Sequence, residues 1–104
     1  MKTNMERYHE STDGVFKYLD CSTAHVTEEE MDALVECVTP TSSYHDDYGC
    51  WMYCIDTVYD DDVSAWREYP NLFGIVRYAL ARGCMYVRLD QDGWEHENLP
   101  TFEW

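Results

Sequence analysis

The strongest folding signals lie in the segment VFKYLDCSTAHVTEEEMDALVECVTP, from Val15 to Pro40. Its first part, 15–20, is rich in β-branched and aromatic residues and predicts a strand. Thr27 and Glu30 have the spacing of a capping box, in which two side chains satisfy the free N–H groups at a helix start. Apolar residues then recur at the spacing of one helix face, which predicts a helix over 28–38. These residues are Met31, Leu34, Val35 and Val38.

The middle of the chain contains one predicted strand between two polar segments. Residues 39–48 have the composition of a loop, with proline, serine, aspartate and tyrosine. The segment Gly49 to Ile55 is apolar at almost every position, which predicts a strand buried on both faces of the sheet. The run Asp60 to Asp62 precedes a helical region, and we expect 63–66 to form its first turn.

A second helix and two further strands complete the predicted order. Pro70 is tolerated at the first position of a helix, and Gly83 is a natural cap at its end. Alternating apolar residues predict a strand with one buried face over 85–89. Asp92-Gly93 is a hairpin-type turn, after which a short last strand and a tail are expected in 94–104. The core face of the second helix consists of Leu72, Phe73, Val76, Ala79 and Leu80.

This order predicts a single small α/β or α+β domain, with a three- to four-stranded sheet packed by two main helices. A length of 104 residues leaves no room for a second domain. Residues 1–13 are polar and lack periodicity, so we expect a flexible N-terminal arm before a domain over 14–104.

The charge of the chain limits its partners. Seven Lys and Arg against 21 Asp and Glu give a formal net charge of −14. This charge argues against direct binding to nucleic acid or to an anionic membrane, because both carry negative charge. No segment approaches the ~20 apolar residues of a membrane-spanning helix, and the N-terminus does not resemble a signal peptide. A cytoplasmic protein is therefore expected.

Five cysteines, an odd number, are typical of free thiols in a reducing compartment. Cys50 and Cys54 lie in the predicted central strand, where residues i and i+4 are ~13 Å apart and cannot share one zinc ion. We therefore expect buried structural thiols, no metal and no cofactor.

The acidic residues are unevenly distributed. The 49 residues between Lys17 and Arg67 contain twelve Asp and Glu but no Lys or Arg. In the first helix, acidic residues at i, i+4 and i+8 place carboxylates roughly 6 Å apart, a step similar to that between phosphates of a nucleic-acid strand. Such a surface would occupy a basic nucleic-acid channel on another protein, whereas the alternative is that the charge serves only solubility. The predicted partner-binding residues are Glu28, Glu29, Asp32, Glu36, Asp46, Asp47, Asp60, Asp61 and Asp62.

The aromatic residues also favour binding over catalysis. Nine tyrosines cannot all be buried in so small a domain. Exposed tyrosine beside acidic residues is typical of protein-binding surfaces, because the rings supply contact area and the charges supply orientation.

Catalytic or metal-binding candidates are few. His25 lies between a strand end and a helix start, where ligands collect in α/β sheets, and His45 precedes Asp46 and Asp47. The segment 90–93 begins like a calcium loop, but the later ligand positions are wrong. Nucleophile elbows, phosphate-binding loops and dinucleotide motifs are absent. A small metal-dependent enzyme or metal-binding regulator that uses His25, His45 and nearby acids is therefore the alternative to a non-enzymatic binding protein.

Three motifs resemble a family of small uncharacterised proteins of bacterial phages and plasmids. They are Asp20-Cys21-Ser22-Thr23-Ala24-His25-Val26-Thr27, the segment 81–90, and Leu99-Pro100-Thr101-Phe102-Glu103-Trp104. The resemblance implies a context in which small acidic proteins inhibit host defence. We therefore expect a non-enzymatic anti-CRISPR or anti-restriction inhibitor that mimics DNA and binds a host complex with a basic surface. The sequence leaves the target complex and the oligomeric state open.

Overall fold

The strands and helices that the structure describes follow the predicted order, except that two strands rather than one lie between the helices and no strand follows residue 90. The computed structural model describes residues 13–54 and 65–104. Residues 1–12 of the predicted arm, 1–13, and the run Asp60 to Asp62 lie outside these residues. The described elements are β1 (Lys17–Ser22), a 3-10 turn (Thr23–His25), α1 (Glu28–Val35), β2 (Ser43–His45), β3 (Gly49–Tyr53), α2 (Pro70–Ala81) and β4 (Cys84–Asp90).

The four strands form one mixed sheet in the order β1-β4-β3-β2, with β1 parallel to β4 and the other pairs antiparallel. The two helices and one face of the sheet share a buried apolar core. An α+β domain with a four-stranded sheet and two helices is thus confirmed. The core includes Leu19, Cys21, Leu34, Cys50, Met52, Trp66, Leu72, Ile75, Val76, Ala79, Leu80, Val87 and Leu89.

The prediction that β3 is buried on both faces is wrong. Cys50 and Met52 point into the core, whereas Trp51 between them is 36% exposed. The apolar run hides an alternation, because the intervening positions are aromatic residues that cover the face of the sheet opposite the core. Of the predicted strand, Ile55 lies outside the described residues.

The position of the fourth strand also differs from the prediction. Strand β2 lies within 39–48, which the composition predicts to be a loop, and no strand forms in 94–104. Three residues are too few to show a two-residue period, so only pairing with β3 reveals β2. The first strand begins at Lys17 rather than at Val15, which is 74% exposed.

Helix α1 ends three residues before its predicted end. Its capping box of Thr27 and Glu30 is confirmed, but Cys37 has a positive φ of 58°. The N–H of Cys37 donates to the carbonyl of Leu34, and that of Val38 to the carbonyl of Ala33. These two bonds form a Schellman motif. Val38, predicted to be in the core, is consequently 58% exposed.

Replacing Cys37 by glycine is expected to stabilise the domain by about 1 kcal/mol. A left-handed backbone strains a residue with a Cβ atom but not glycine. Urea unfolding of the Cys37→Gly variant measures the gain, and Cys37→Ala separates it from loss of the thiol. Equal midpoints for the glycine and alanine variants would contradict this explanation.

Helix α2 confirms two predictions. Pro70 occupies its first turn, and Gly83, with φ of 77°, follows its C-terminal cap. The residue before the helix, Tyr69, provides no side-chain cap. The cap comes instead from α1, because Glu30 Oε2 accepts the backbone N–H groups of Asn71 and Leu72 at 2.9 and 3.1 Å. One buried carboxylate therefore caps both helices.

Candidate partner-binding surface

Residues 94–104, which we call the C-terminal strap, cross the end of β1 and the 3-10 turn. The N–H of Ser22 donates to the carbonyl of Trp94, and that of Phe102 to the carbonyl of Ala24. The indole Nε1–H of Trp104 donates to the carbonyl of Val26 at 2.9 Å. Two of the three motifs that carry the sequence resemblance, 20–27 and 99–104, are therefore in direct contact.

The buried side chain of His25 forms hydrogen bonds with the C-terminal strap. It is fully buried; its Nδ1 lies 2.7 Å from the carbonyl oxygen of Pro100, and its Nε2 accepts the N–H of His96 at 2.8 Å. These partners assign the neutral tautomer with the proton on Nδ1. Both nitrogens bond to backbone, so the contacts of His25 are structural.

The structure does not bring the metal-ligand candidates together. His45 is exposed on β2. In 13–54 and 65–104, no group of three or more His, Cys, Asp or Glu side chains is arranged to hold a metal ion. Four of the five cysteines are buried, as expected, and burial together with the charge of Asp20 raises the pKa of the Cys21 thiol to about 12.

The predicted acidic residues of α1 share one exposed surface. Glu28, Glu29, Asp32 and Glu36 are all exposed, and we call them the acidic face of α1. The helix contains no Lys or Arg that would neutralise them. Glu30, the remaining carboxylate, is 3% exposed and points toward α2.

Asp46 and Asp47 have different environments. Asp46 forms two hydrogen bonds with the Arg88 guanidinium, at 2.9 and 3.0 Å, and accepts the N–H groups of Tyr48 and Gly49. Arg88 and these N–H groups lower the pKa of the Asp46 carboxyl to about 2. Asp46 thus holds the β2–β3 turn against β4, although Asp46 and Asp47 are both exposed.

Replacing Asp46 by asparagine is expected to change the acid stability of the domain. Because its pKa falls from 3.8 to about 2 on folding, the charged form stabilises the fold above pH 4. This stabilisation is lost as the pH falls toward 2. Urea midpoints measured from pH 7 to pH 2 should therefore fall less steeply below pH 4 in Asp46→Asn than in the unmodified protein. Asp47→Asn, which breaks no Arg88 contact, is the control, and parallel curves for all three proteins would contradict the assignment.

A groove of about 270 Å³ lies between α1 and the β2–β3 turn. Met31 and Val35 line it on the helix side, and Trp104 of the strap also borders it. Asp46 and Asp47 line the side formed by the turn. The fold therefore brings two predicted acidic segments, α1 and 46–47, to the same groove, while Asp60 to Asp62 lie outside the described residues.

A second exposed surface consists of aromatic residues, whose exposure the sequence predicts but whose position on the sheet it does not. On the sheet face opposite the core, Tyr18 contacts Trp51 edge-on at 5.0 Å between ring centres. Tyr53 and Tyr86 form a similar pair at 5.7 Å. In β3, core residues alternate with aromatic residues, and this alternation indicates an exposed aromatic face. Because all of these residues count as apolar, the hydrophobicity pattern alone does not show the alternation.

The comparisons with known proteins identify a family but no activity. A family model described as the C-terminal domain of a family of unknown function, DUF5983, matches residues 18–104. The chain belongs to this DUF5983 family. No curated protein and no solved structure matches the chain significantly. The match spans β1 to the strap, so the family domain contains both the groove and the acidic face of α1. None of the helices in the described part of the DUF5983 chain has the length and hydrophobicity needed to cross a membrane.

Proposed function

We propose that this protein is a non-enzymatic inhibitor that binds a basic, nucleic-acid-handling protein or complex. The observation that supports this most strongly is the acidic face of α1. Four exposed carboxylates lie on the helix and its C-terminal cap residue, with no basic side chain among them, in a chain with a net charge of −14. Like charges at this spacing destabilise a helix by a few tenths of a kcal/mol per pair. A binding role explains why the helix keeps them.

The spacing of the carboxylates provides the mechanism. Residues one helical turn apart hold their carboxylates about 6 Å apart, similar to the step along a phosphate backbone. Lys and Arg that normally contact phosphates would pair with Glu28, Asp32 and Glu36 instead. Binding would then weaken with salt and compete with duplex DNA, as binding to nucleic acid does.

The biological setting is part of the same proposal. The resemblance to small acidic proteins of phages and plasmids supports an inhibitor of host defence in the bacterial cytoplasm. An anti-CRISPR protein is the first specific case and an anti-restriction protein the second. In either case the protein acts by stoichiometric binding rather than by catalysis.

The test is a pull-down from bacterial lysate at low and high salt, with mass spectrometry of the bound proteins. We expect a CRISPR or restriction complex that is released by salt and displaced by duplex DNA. A triple variant, Glu29→Lys, Asp32→Lys and Glu36→Lys, should lose this complex.

The matched control changes the same number of charges elsewhere on the surface. Asp92, Glu95 and Glu97 are exposed and lie outside α1, so their replacement by lysine gives an identical net charge. This control should retain most of the binding. Equal loss in both triple variants would show that only net charge matters, and full binding by the α1 variant would refute the role of the acidic face.

A further inference from the structure

We propose that the groove between α1 and the β2–β3 turn receives an arginine side chain of the basic partner. This inference rests on the proposed function and adds to it a specific contact. The groove volume of about 270 Å³ is just below the ~300–1,000 Å³ of pockets for drug-sized molecules. The space is large enough for one long side chain.

Some of the residues that line the groove are apolar and can pack against the methylene groups of an arginine side chain. Val35 is 40% exposed and Trp104 is 56% exposed, although both have large apolar side chains. Met31 lies beside them and is half-buried. Arginine covers apolar surface of this kind with its methylene groups while its charged end remains at the rim.

The carboxylates at the rim of the groove are complementary in charge to a guanidinium group. The carboxylate of Asp47 is exposed and forms no ion pair with another described residue. Asp46 already forms an ion pair with Arg88, so it adds negative charge to the rim but is not available to pair with an arginine of the partner. On α1, Glu28 and Asp32 flank Met31 and Val35, because residues three or four apart are neighbours on a helix.

The aromatic wall favours arginine over lysine. A planar guanidinium stacks on an indole ring and still donates hydrogen bonds at its edge, whereas an ammonium group is a compact, strongly hydrated charge. The indole of Trp104 is held in place by its bond to the carbonyl of Val26. A fixed ring loses little freedom when a partner stacks on it.

The C-terminal strap offers a matched control. Glu97 is exposed like Asp47 but lies outside both the groove and the acidic face of α1. The loss of its charge changes the net charge of the protein as much as the loss of Asp47 does. Only a contact in the groove distinguishes the two positions.

The experiment is an NMR titration of the 15N-labelled full chain with a short peptide that contains one arginine between glycines. The matched peptide contains lysine instead. We expect the indole Nε1–H signal of Trp104, assigned with the Trp104→Phe variant, to shift with the arginine peptide and at least twofold less with the lysine peptide. Asp47→Asn should weaken arginine-peptide binding about fivefold, the size of one close charge contact in water, and Glu97→Gln less than twofold.

The outcomes separate this inference from the proposed function. An unshifted Trp104 signal, equal shifts with both peptides, or equal losses in the two variants would overturn the groove assignment, even if the pull-down finds a salt-released partner. A Trp104 shift specific to arginine supports the groove, even if no complex is captured from the lysate. In that second case the proposed inhibitor function is refuted, whereas the arginine site in the groove is supported.

Discussion

Replacing Glu30 by alanine is expected to lower the free energy of unfolding by about 3 kcal/mol, a large part of the stability of a domain this size. Its carboxylate accepts the N–H and hydroxyl of Thr27, the amide side chain of Asn71, and the N–H groups of Asn71 and Leu72. Alanine would leave buried donors without partners at the start of both helices, and each such loss costs about 1 kcal/mol or more. Urea unfolding at neutral pH measures the change.

Two variants check that the effect comes from capping. Glu30→Gln keeps an acceptor but places an amide group against N–H donors, so an intermediate loss is expected. Glu29→Gln removes a neighbouring exposed charge and should change the free energy of unfolding by less than about 0.5 kcal/mol. If Glu30→Ala lowers the free energy of unfolding no more than Glu29→Gln does, the cap that Glu30 provides for both helices does not contribute to stability.

Replacing His25 by alanine is expected to lower the free energy of unfolding by about 3 kcal/mol and to increase the mobility of the C-terminal strap. The change leaves the carbonyl of Pro100 and the N–H of His96 without their partner, and it opens a cavity in a fully buried position. Hydrogen exchange provides the specific readout. The amides of His96 and Phe102 should exchange faster, while those in the middle of β4 should follow the global change only.

A conservative variant tests the role of the ring nitrogens. His25→Asn retains one donor and one acceptor on a shorter side chain, so it should recover part of the lost stability. Uniform acceleration of exchange across the sheet and the strap would show that His25 stabilises the whole core and does not specifically hold the strap.

Local patterns predicted the helices better than the strands. Thr27 and Glu30 identify the start of α1, and Pro70 and Gly83 mark both ends of α2, because caps depend on residues close in sequence. The end of α1 was missed because Cys37 adopts a backbone conformation in which glycine is usual. Strand β2 was missed because its structure depends on pairing with β3 rather than on its own three residues.

The candidate site was predicted only in part. The exposure of Glu28, Asp32 and Glu36 follows from their helical spacing, and the structure agrees. The groove beside them depends on Trp104, which reaches α1 only through the path of the strap. The engagement of Asp46 by Arg88 depends on the antiparallel pairing of β3 with β4. Contacts between residues so distant in sequence have no local signature.

The strand order has a consequence for how the chain acquires its fold. Strand β4 follows the other three in sequence, yet it lies between β1 and β3 in the sheet. Lys17 pairs with Cys84, so the parallel half of the sheet closes a very long loop, whereas β2 and β3 form a local hairpin. On a ribosome, β1 would emerge early and remain without β4, its neighbour in the described sheet, until β4 is synthesised. Completion of the sheet is therefore a late and slow step, since long-range closure limits folding rates.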